Sequence, residues 1–302
     1  MALKDIKAKI QATKRMHTVT RAMEAVSAVK MRKTQESAFA GRAYARAALS
    51  ILARLSGSSD VQRHPLTEAR EVKKTAVVVI TSDKGLAGAL NSGVIKSALR
   101  AIEGRSLESI VIYAYGRKAE EFFRRRDYAI AKAFENKRDD VPLSVMQELS
   151  TELSDGFLAG DYDEVIAVYS NFRSTFEQIP TTRRLLPLSI ESMGELVHDI
   201  QPARGKWSNE AVLESPYSYE VEPSADEVLG RLIPRLVAVS LYYMLLEAKA
   251  SEHSARMVAM KNASDKSKEV TKTLTRQYNK VRQAAITREV SEIVSGREAL
   301  AT

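Results

Sequence analysis

The sequence has 302 residues, enough to bury a substantial core, with 28% charged residues, only 6% aromatics and no cysteine. Disulfides, thiolate metal sites and cysteine nucleophiles are therefore excluded. The four histidines, His17, His64, His198 and His253, stand singly, without metal-ligand spacing.

The net charge of +8 is unevenly placed. Residues 1–55 hold twelve Lys and Arg against Asp5, Glu24 and Glu36, a balance of +9, so the remainder sums to −1. A cationic end of this kind predicts an acidic partner.

No glycine or proline precedes Gly41, and Leu3, Ile6, Ile10, Met16, Val19, Met23 and Val26 recur in steps of three or four, with Thr13 filling the intervening turn. The pattern predicts one helix with a narrow apolar stripe, running to about Leu55 and stopped by Ser56–Asp60. The segment is basic and amphipathic, as a transit peptide is, but its pattern continues without interruption, so it reads as structure; it has no apolar secretory core.

The middle of the chain changes character. Thr75–Asp83, Ser109–Gly116 and Asp163–Phe172 are apolar runs that predict buried strands. Asn91–Glu103 and the segment from Arg117 have helical spacing, and Ser174–Leu188, with Pro180 and Pro187, reads as an edge strand. Strands alternating with helices predict a parallel α/β sheet of Rossmann-like type. Residues 191–222 are polar and irregular and read as a connection.

Pro223 and Ser224, followed by Asp226 and Glu227, supply a helix start with Ser224 as the cap. The most apolar stretch, Val228–Leu246, contains Arg231, Pro234 and Arg235, so it predicts a buried helix rather than a membrane span. Further on, Met257, Met260, Ser264, Ser267, Thr271, Leu274, Tyr278, Val281 and Ala285 follow alternating steps of three and four. This is a coiled-coil seam, thin and polar in its middle, that would be marginal alone. The expected division is therefore residues 1–60, 70–190, 191–222 and 223–302.

Ser82–Asn91, "SDKGLAGALN", lies where a Rossmann fold cradles a pyrophosphate. Gly85 and Gly88 are followed by Ala89 where a third glycine is wanted, no Lys-Ser/Thr pair follows, and the second strand ends in "YAYG" without the acidic residue that holds a ribose. A tight turn is the better reading, and no cofactor is expected. Arg138–Asp140 and Asp161–Glu164 read as solvated turns. No serine stands in G-x-S-x-G and no H-E-x-x-H occurs, so no active site is expected in this chain.

Four segments together resemble the gamma subunits of F-type ATP synthases, over essentially the whole chain. They are Val19–Gln35, the Ser82–Asn91 stretch (family pattern S-D-R-G-L-C-G-G-L-N), Ala255–Ser264 and Tyr278–Gly296. The departures are Lys84 for Arg, Ala87 for Cys and Ala89 for Gly, and the cysteine-bearing insertion of chloroplast forms is absent. The resemblance implies that the terminal helices form a long antiparallel coiled coil beside a central Rossmann-like α/β domain. It implies a rotating central stalk inside a hexamer of alternating alpha and beta subunits, coupling proton or other ion flow through a membrane c-ring to ATP synthesis.

The same resemblance implies the site residues. Met23, Lys30, Arg32, Lys33, Arg282 and Gln283 would contact a beta subunit. Ser82, Asp83, Lys84, Gly85, Gly88 and Asn91 form the family motif. Tyr217, Tyr219 and Glu220 would contact the c-ring or epsilon, and delta would be reached only through the complex. The implied location is the cytoplasmic side of a bacterial plasma membrane, peripheral, without bilayer insertion and without nucleic acid. The alternative is a basic coiled-coil protein that binds nucleic acid through its first helix, since twelve cations suit phosphate neutralisation.

Overall fold

The computed structural model describes residues 3–55, 64–137, 143–189 and 224–300. Helix α1 (Leu3–Leu55) is followed by β1 (Thr75–Ile80), α2 (Leu90–Ala101), β2 (Ile110–Tyr115), α3 (Arg117–Arg124), β3 (Ala129–Phe134), α4 (Leu143–Ala159), β4 (Glu164–Ser174), β5 (Glu177–Leu186) and α5 (Ala225–Leu300). Contacts divide the chain into two compact units: residues 27–256, and residues 1–26 with 257–302.

In the first unit, the five strands form one sheet in the order β3-β2-β1-β4-β5. β1 pairs in parallel with β2 and β4, and β2 with β3. The expected parallel sheet thus holds for four strands. β5 lies at the edge, as its prolines predict, but runs antiparallel to β4 because only Thr175 and Phe176 separate the two.

Every residue of β1 is buried, since the sheet is covered on both faces. Ala76, Val78 and Ile80 pack with Leu149, Leu153 and Phe157 of α4 and with Leu229, Ile233, Leu236 and Leu241 of α5. Val77 and Val79 pack on the other face with Val94 and Ala98 of α2 and Ala119 and Phe123 of α3. The apolar stretch Val228–Leu246 is accordingly core, although by length and composition α5 contains a window that could cross a membrane.

Two elements have no counterpart in the sequence reading. β3 alternates exposed alanines with half-buried Ile130, Lys132 and Phe134 and lacks an apolar run. α4 has a legible pattern in Met146, Leu149, Leu153 and Phe157, all buried at steps of three and four. The helix start at Ser224 is as read: its hydroxyl accepts the Glu227 amide at 3.3 Å. Pro234 sits inside α5, which continues through it.

In the second unit, α1 and α5 pack as an antiparallel coiled coil. His17 Nδ1 lies 3.0 Å from the Ser264 carbonyl and 2.9 Å from its hydroxyl. All nine seam positions read on α5, from Met257 to Ala285, are buried or half-buried. On α1 the seam departs from the apolar stripe: beyond Thr13 it is lined by His17, Thr20 and Met23. Met16, Val19 and Val26, expected in the stripe, are 58%, 57% and 54% exposed.

The seam tolerates hydroxyls because they are satisfied, Ser264 by His17 across the seam and the others within their own helices. Thr20 donates to the Met16 carbonyl at 2.9 Å, Ser267 to Ala263 at 2.7 Å and Thr271 to Ser267 at 2.8 Å. In antiparallel register from the His17–Ser264 contact, Leu3 falls level with Tyr278. Residues 286–297 are all exposed.

Candidate functional site

The Ser82–Asn91 motif begins one residue beyond Thr81, which follows the end of β1. There the C-terminal ends of β1, β2 and β3 must be joined, and the motif does this with side chains. Asp83 is 6% exposed. Its carboxylate accepts the Arg117 amide at 2.8 Å, at the first turn of α3, and the Asn136 amide at 3.0 Å, just beyond β3. A carboxylate at a helix N-terminus also gains from the helix dipole.

Thr81 completes the tie. Its hydroxyl accepts the Ala119 amide at 2.9 Å and its carbonyl accepts Asn136 Nδ2 at 2.7 Å. Buried close by, Tyr115 has its phenol pushed up to about 12 by desolvation, with the Asp83 charge adding to the shift.

Ser82 and Asn91 close the loop on itself. The Ser82 amide donates to Asn91 Oδ1 at 3.0 Å, Asn91 Nδ2 donates to the Ser82 hydroxyl at 2.8 Å, and that hydroxyl donates to the Lys84 carbonyl at 2.6 Å. Lys84 and Gly85 are exposed. Gly88 has φ +58°, where glycine is favoured, and Leu86 adopts φ +62° beside it. Ala89 has φ −87°, so the family's glycine is not needed at that position.

An open α/β sheet binds ligands outside the carboxyl ends of its strands, where the strand order reverses. Here that place, between β1 and β4, is taken by α5. Ser251 donates to the Ser170 carbonyl of β4 at 2.9 Å, and Glu247 accepts the Phe172 amide at 3.0 Å. Lys249 donates to the Asn136 carbonyl at 2.8 Å. Arg256 pairs with Glu252 at 2.7 Å and reaches the Gly85 carbonyl at 3.4 Å. Lys249, Glu252 and Arg256 are all buried. A buried ion cluster needs its charges paired and hydrogen-bonded, and this one satisfies that through the Arg256–Glu252 pair and the carbonyls of Gly85 and Asn136.

The sequence reading missed Thr81, Gly116, Asn136, Lys249, Glu252 and Arg256. Only Lys249 and Arg256 carried a signal, as charges at seven-residue spacing in an otherwise small-residue stretch of α5. Among the described residues no group of three or more His, Asp or Glu side chains is placed to hold a metal ion.

The other expected site residues lie on the long helices. Met23 and Lys30 are half-buried, while Arg32, Lys33, Arg282 and Gln283 are exposed. Met23 falls level with residue 258 in the coiled coil. Arg282 therefore lies about 36 Å further along the axis at 1.5 Å per residue, so the two are separate levels on one rod. Tyr217, Tyr219 and Glu220 lie outside the described residues, as do Arg138–Asp140 and Ser56–Asp60.

The ATP synthase family profile matches residues 2–300. An ATP synthase gamma chain of Roseiflexus castenholzii is 42% identical over 99% of this chain and 98% of its own length. Those of Pelotomaculum thermopropionicum and Staphylococcus saprophyticus are 38% and 37% identical, each over 99% of both chains. Among solved structures, a chain of the Tetrahymena thermophila mitochondrial ATP synthase central stalk and c-ring is 26% identical with TM-score 0.60, covering 82% of this chain and 99% of that one. A chain of the Euglena gracilis mitochondrial ATP synthase shares the fold at TM-score 0.65 and 16% identity, covering 99% and 94%. The chain belongs to the ATP synthase gamma chain family, the central stalk of the rotary machine.

Proposed function

We propose that this chain turns inside a hexamer of alternating alpha and beta subunits and couples ion flow through a membrane c-ring to ATP synthesis and hydrolysis on beta. It has no active site of its own in this reading. Residues 1–60 and 223–302 are the shaft, 70–190 the head, and 191–222 the foot segment that meets the c-ring and epsilon.

One observation carries the reading. The two long helices leave apolar residues exposed: Met16, Val19 and Val26 on the face of α1 turned away from α5, and Ile286, Val290, Ile293 and Val294 on the part of α5 past the level of Leu3, each 47–71% exposed. Exposed apolar stripes of this kind mark a protein partner, and they favour a surrounding sleeve over a nucleic acid. An asymmetric rod in such a sleeve contacts each beta subunit differently, and so biases each among conformations by differential contact energy.

Arg282 and Gln283 hydrogen-bond a beta loop, with the guanidinium giving a bidentate geometry that lysine lacks. Met23 sits uncharged beside an acidic beta lever, with Lys30, Arg32 and Lys33 nearby, and so avoids a locking ion pair. The filled crevice at the strand ends supports the non-catalytic reading. The complex lies on the cytoplasmic side of a bacterial plasma membrane, held there through its partners.

The test is purification of the tagged chain from native membranes. Two nucleotide-binding subunits should accompany it in equal amounts, each in threefold excess, with epsilon and the c-ring; recovery as an isolated monomer refutes the proposal.

A further inference from the structure

A groove of about 430 Å3 runs between α2 and α3, on the face of the sheet opposite α4 and α5. Its floor is apolar: Ile95 is 9% exposed, and Leu99 and Phe122 are half-buried against the core. From Ser92 to Leu99 it follows α2 for about 10 Å at 1.5 Å per residue, or two helical turns.

The rim is cationic. Lys96, Lys118, Arg125 and Arg126 face Glu121, the one acid among the lining residues. Glu121 is already engaged, by Lys118 at 3.2 Å and Arg117 at 3.3 Å. Lys96 and Arg125 form no ion pair within 4.0 Å among the described residues, although, after the hydrogen bond from Lys118, the Arg125 charge also helps to hold down the Glu121 pKa. The Arg126 guanidinium lies 3.7 Å from the Phe122 ring centroid, so cation and ring form a single platform.

We propose that this groove seats an acidic amphipathic helix of a partner protein. Apolar side chains one turn apart would fill the floor over Ile95, Leu99 and Phe122, while flanking carboxylates meet Lys96, Arg125 and Arg126. Two neighbouring helices leave a furrow that a third helix fills by ridge-into-groove packing, and apolar anchors at helical spacing are how such grooves are read. A phosphate backbone would use the rim but leave the apolar floor empty. A bilayer presents a flat surface, which a furrow two turns long does not match.

The test uses the full chain and a fluorescein-labelled 14-residue peptide with leucines at positions i, i+4 and i+7 and glutamates elsewhere, read by fluorescence anisotropy. Controls are a scrambled peptide of the same composition, a DNA duplex of matched charge, and phosphatidylglycerol vesicles. The periodic peptide should bind saturably. Lys96→Glu with Arg125→Glu should weaken it about tenfold, by rim-charge repulsion, and Leu99→Asn about fivefold. Lys272→Glu with Arg276→Glu, exposed on α5, should change it less than twofold.

Lys96 and Arg125 are exposed, so the charge-reversed chain should keep its circular dichroism; should it not, Lys96→Gln with Arg125→Gln serves instead, with at least a threefold loss expected. Equal binding of the scrambled peptide, equal weakening by the α5 variant, or tighter binding of duplex or vesicles than of the periodic peptide overturns the proposal.

Discussion

Asp83→Ala removes the tie between three strand ends. Both carboxylate oxygens serve backbone amides, the part-buried Arg117 at 2.8 Å and the buried Asn136 at 3.0 Å. Hydrogen bonds to a charged group are worth about 1.5–3 kcal/mol each, and truncation leaves both amides unsatisfied. The expected loss is roughly 3–5 kcal/mol, a large share of the 5–15 kcal/mol typical of a domain. Asp83→Asn keeps one acceptor but turns its amide group towards the other N–H, and should cost about 2 kcal/mol. Because the chain divides into two units, a single unfolding curve does not isolate this effect. Hydrogen–deuterium exchange does, at the amides of Arg117 and Asn136: both should be protected in the parent, and both exposed to exchange in Asp83→Ala. Unchanged protection, or an urea midpoint within error of the parent's, refutes the structural account of the motif. A nucleotide affinity lost on substitution while the fold is kept would refute it more sharply.

Gly116→Ala should be worse tolerated. The backbone there has φ +103°, and an added Cβ would stand 2.1 Å from the Thr81 carbonyl oxygen; little soluble protein is expected, and a parent-like melting temperature would contradict this. The Asp163 carboxyl is held below the usual carboxylate range by hydrogen bonds from the Lys74 and Lys73 amides. A depressed folded-state pKa gives stability that is complete above the unfolded value of about 4 and lost as pH falls through the folded one. Asp163→Asn should therefore flatten the acid limb of stability below about pH 4, as read by thermal melts across pH. Arg282→Ala with Gln283→Ala changes only exposed side chains, so the isolated chain should keep its fold while the assembled complex loses coupling between hydrolysis and ion pumping. Met23→Lys should impair coupling through an added ion pair that rising salt partly relieves, and an impairment insensitive to salt would count against the electrostatic reason.

The α5 seam was legible at every position from Met257 to Ala285, because spacing, not apolarity, defines a coiled-coil face. On α1 the same spacing was obscured by hydrophobicity. Met16, Val19 and Val26 form a periodic stripe, but His17 and Thr20 take the inward positions beside them. A thin two-helix contact suits small side chains: Thr20, Ser267 and Thr271 bond their hydroxyls to their own helix, and Ser264 meets His17 across the seam. Beyond Thr13, apolarity therefore marks the outward face at Met16, Val19 and Val26, while Met23 stays half-buried in the seam.

In the sheet, the fully buried β1 and the largely buried β2 and β4 announced themselves as apolar runs. β3, at an edge with alternating small residues, could not. The role of the Ser82–Asn91 motif was half legible: the glycines at 85 and 88 read as a tight turn, and Gly88 does adopt φ +58° there. That Asp83 bonds Arg117 and Asn136, and that Lys249 and Arg256 enter the same crevice, depends on pairings more than thirty to more than one hundred and fifty residues apart. No local pattern encodes those.

The central claim is that the chain turns as an axle. Since it contains no cysteine, Glu108→Cys, at an exposed position of the head, gives a unique attachment point for a bead on complexes fixed through the hexamer. Under ATP, single-molecule recording should show the bead turning in one direction, pausing with threefold periodicity. A fully assembled complex that hydrolyses ATP at its normal rate while the bead stays still would contradict the account.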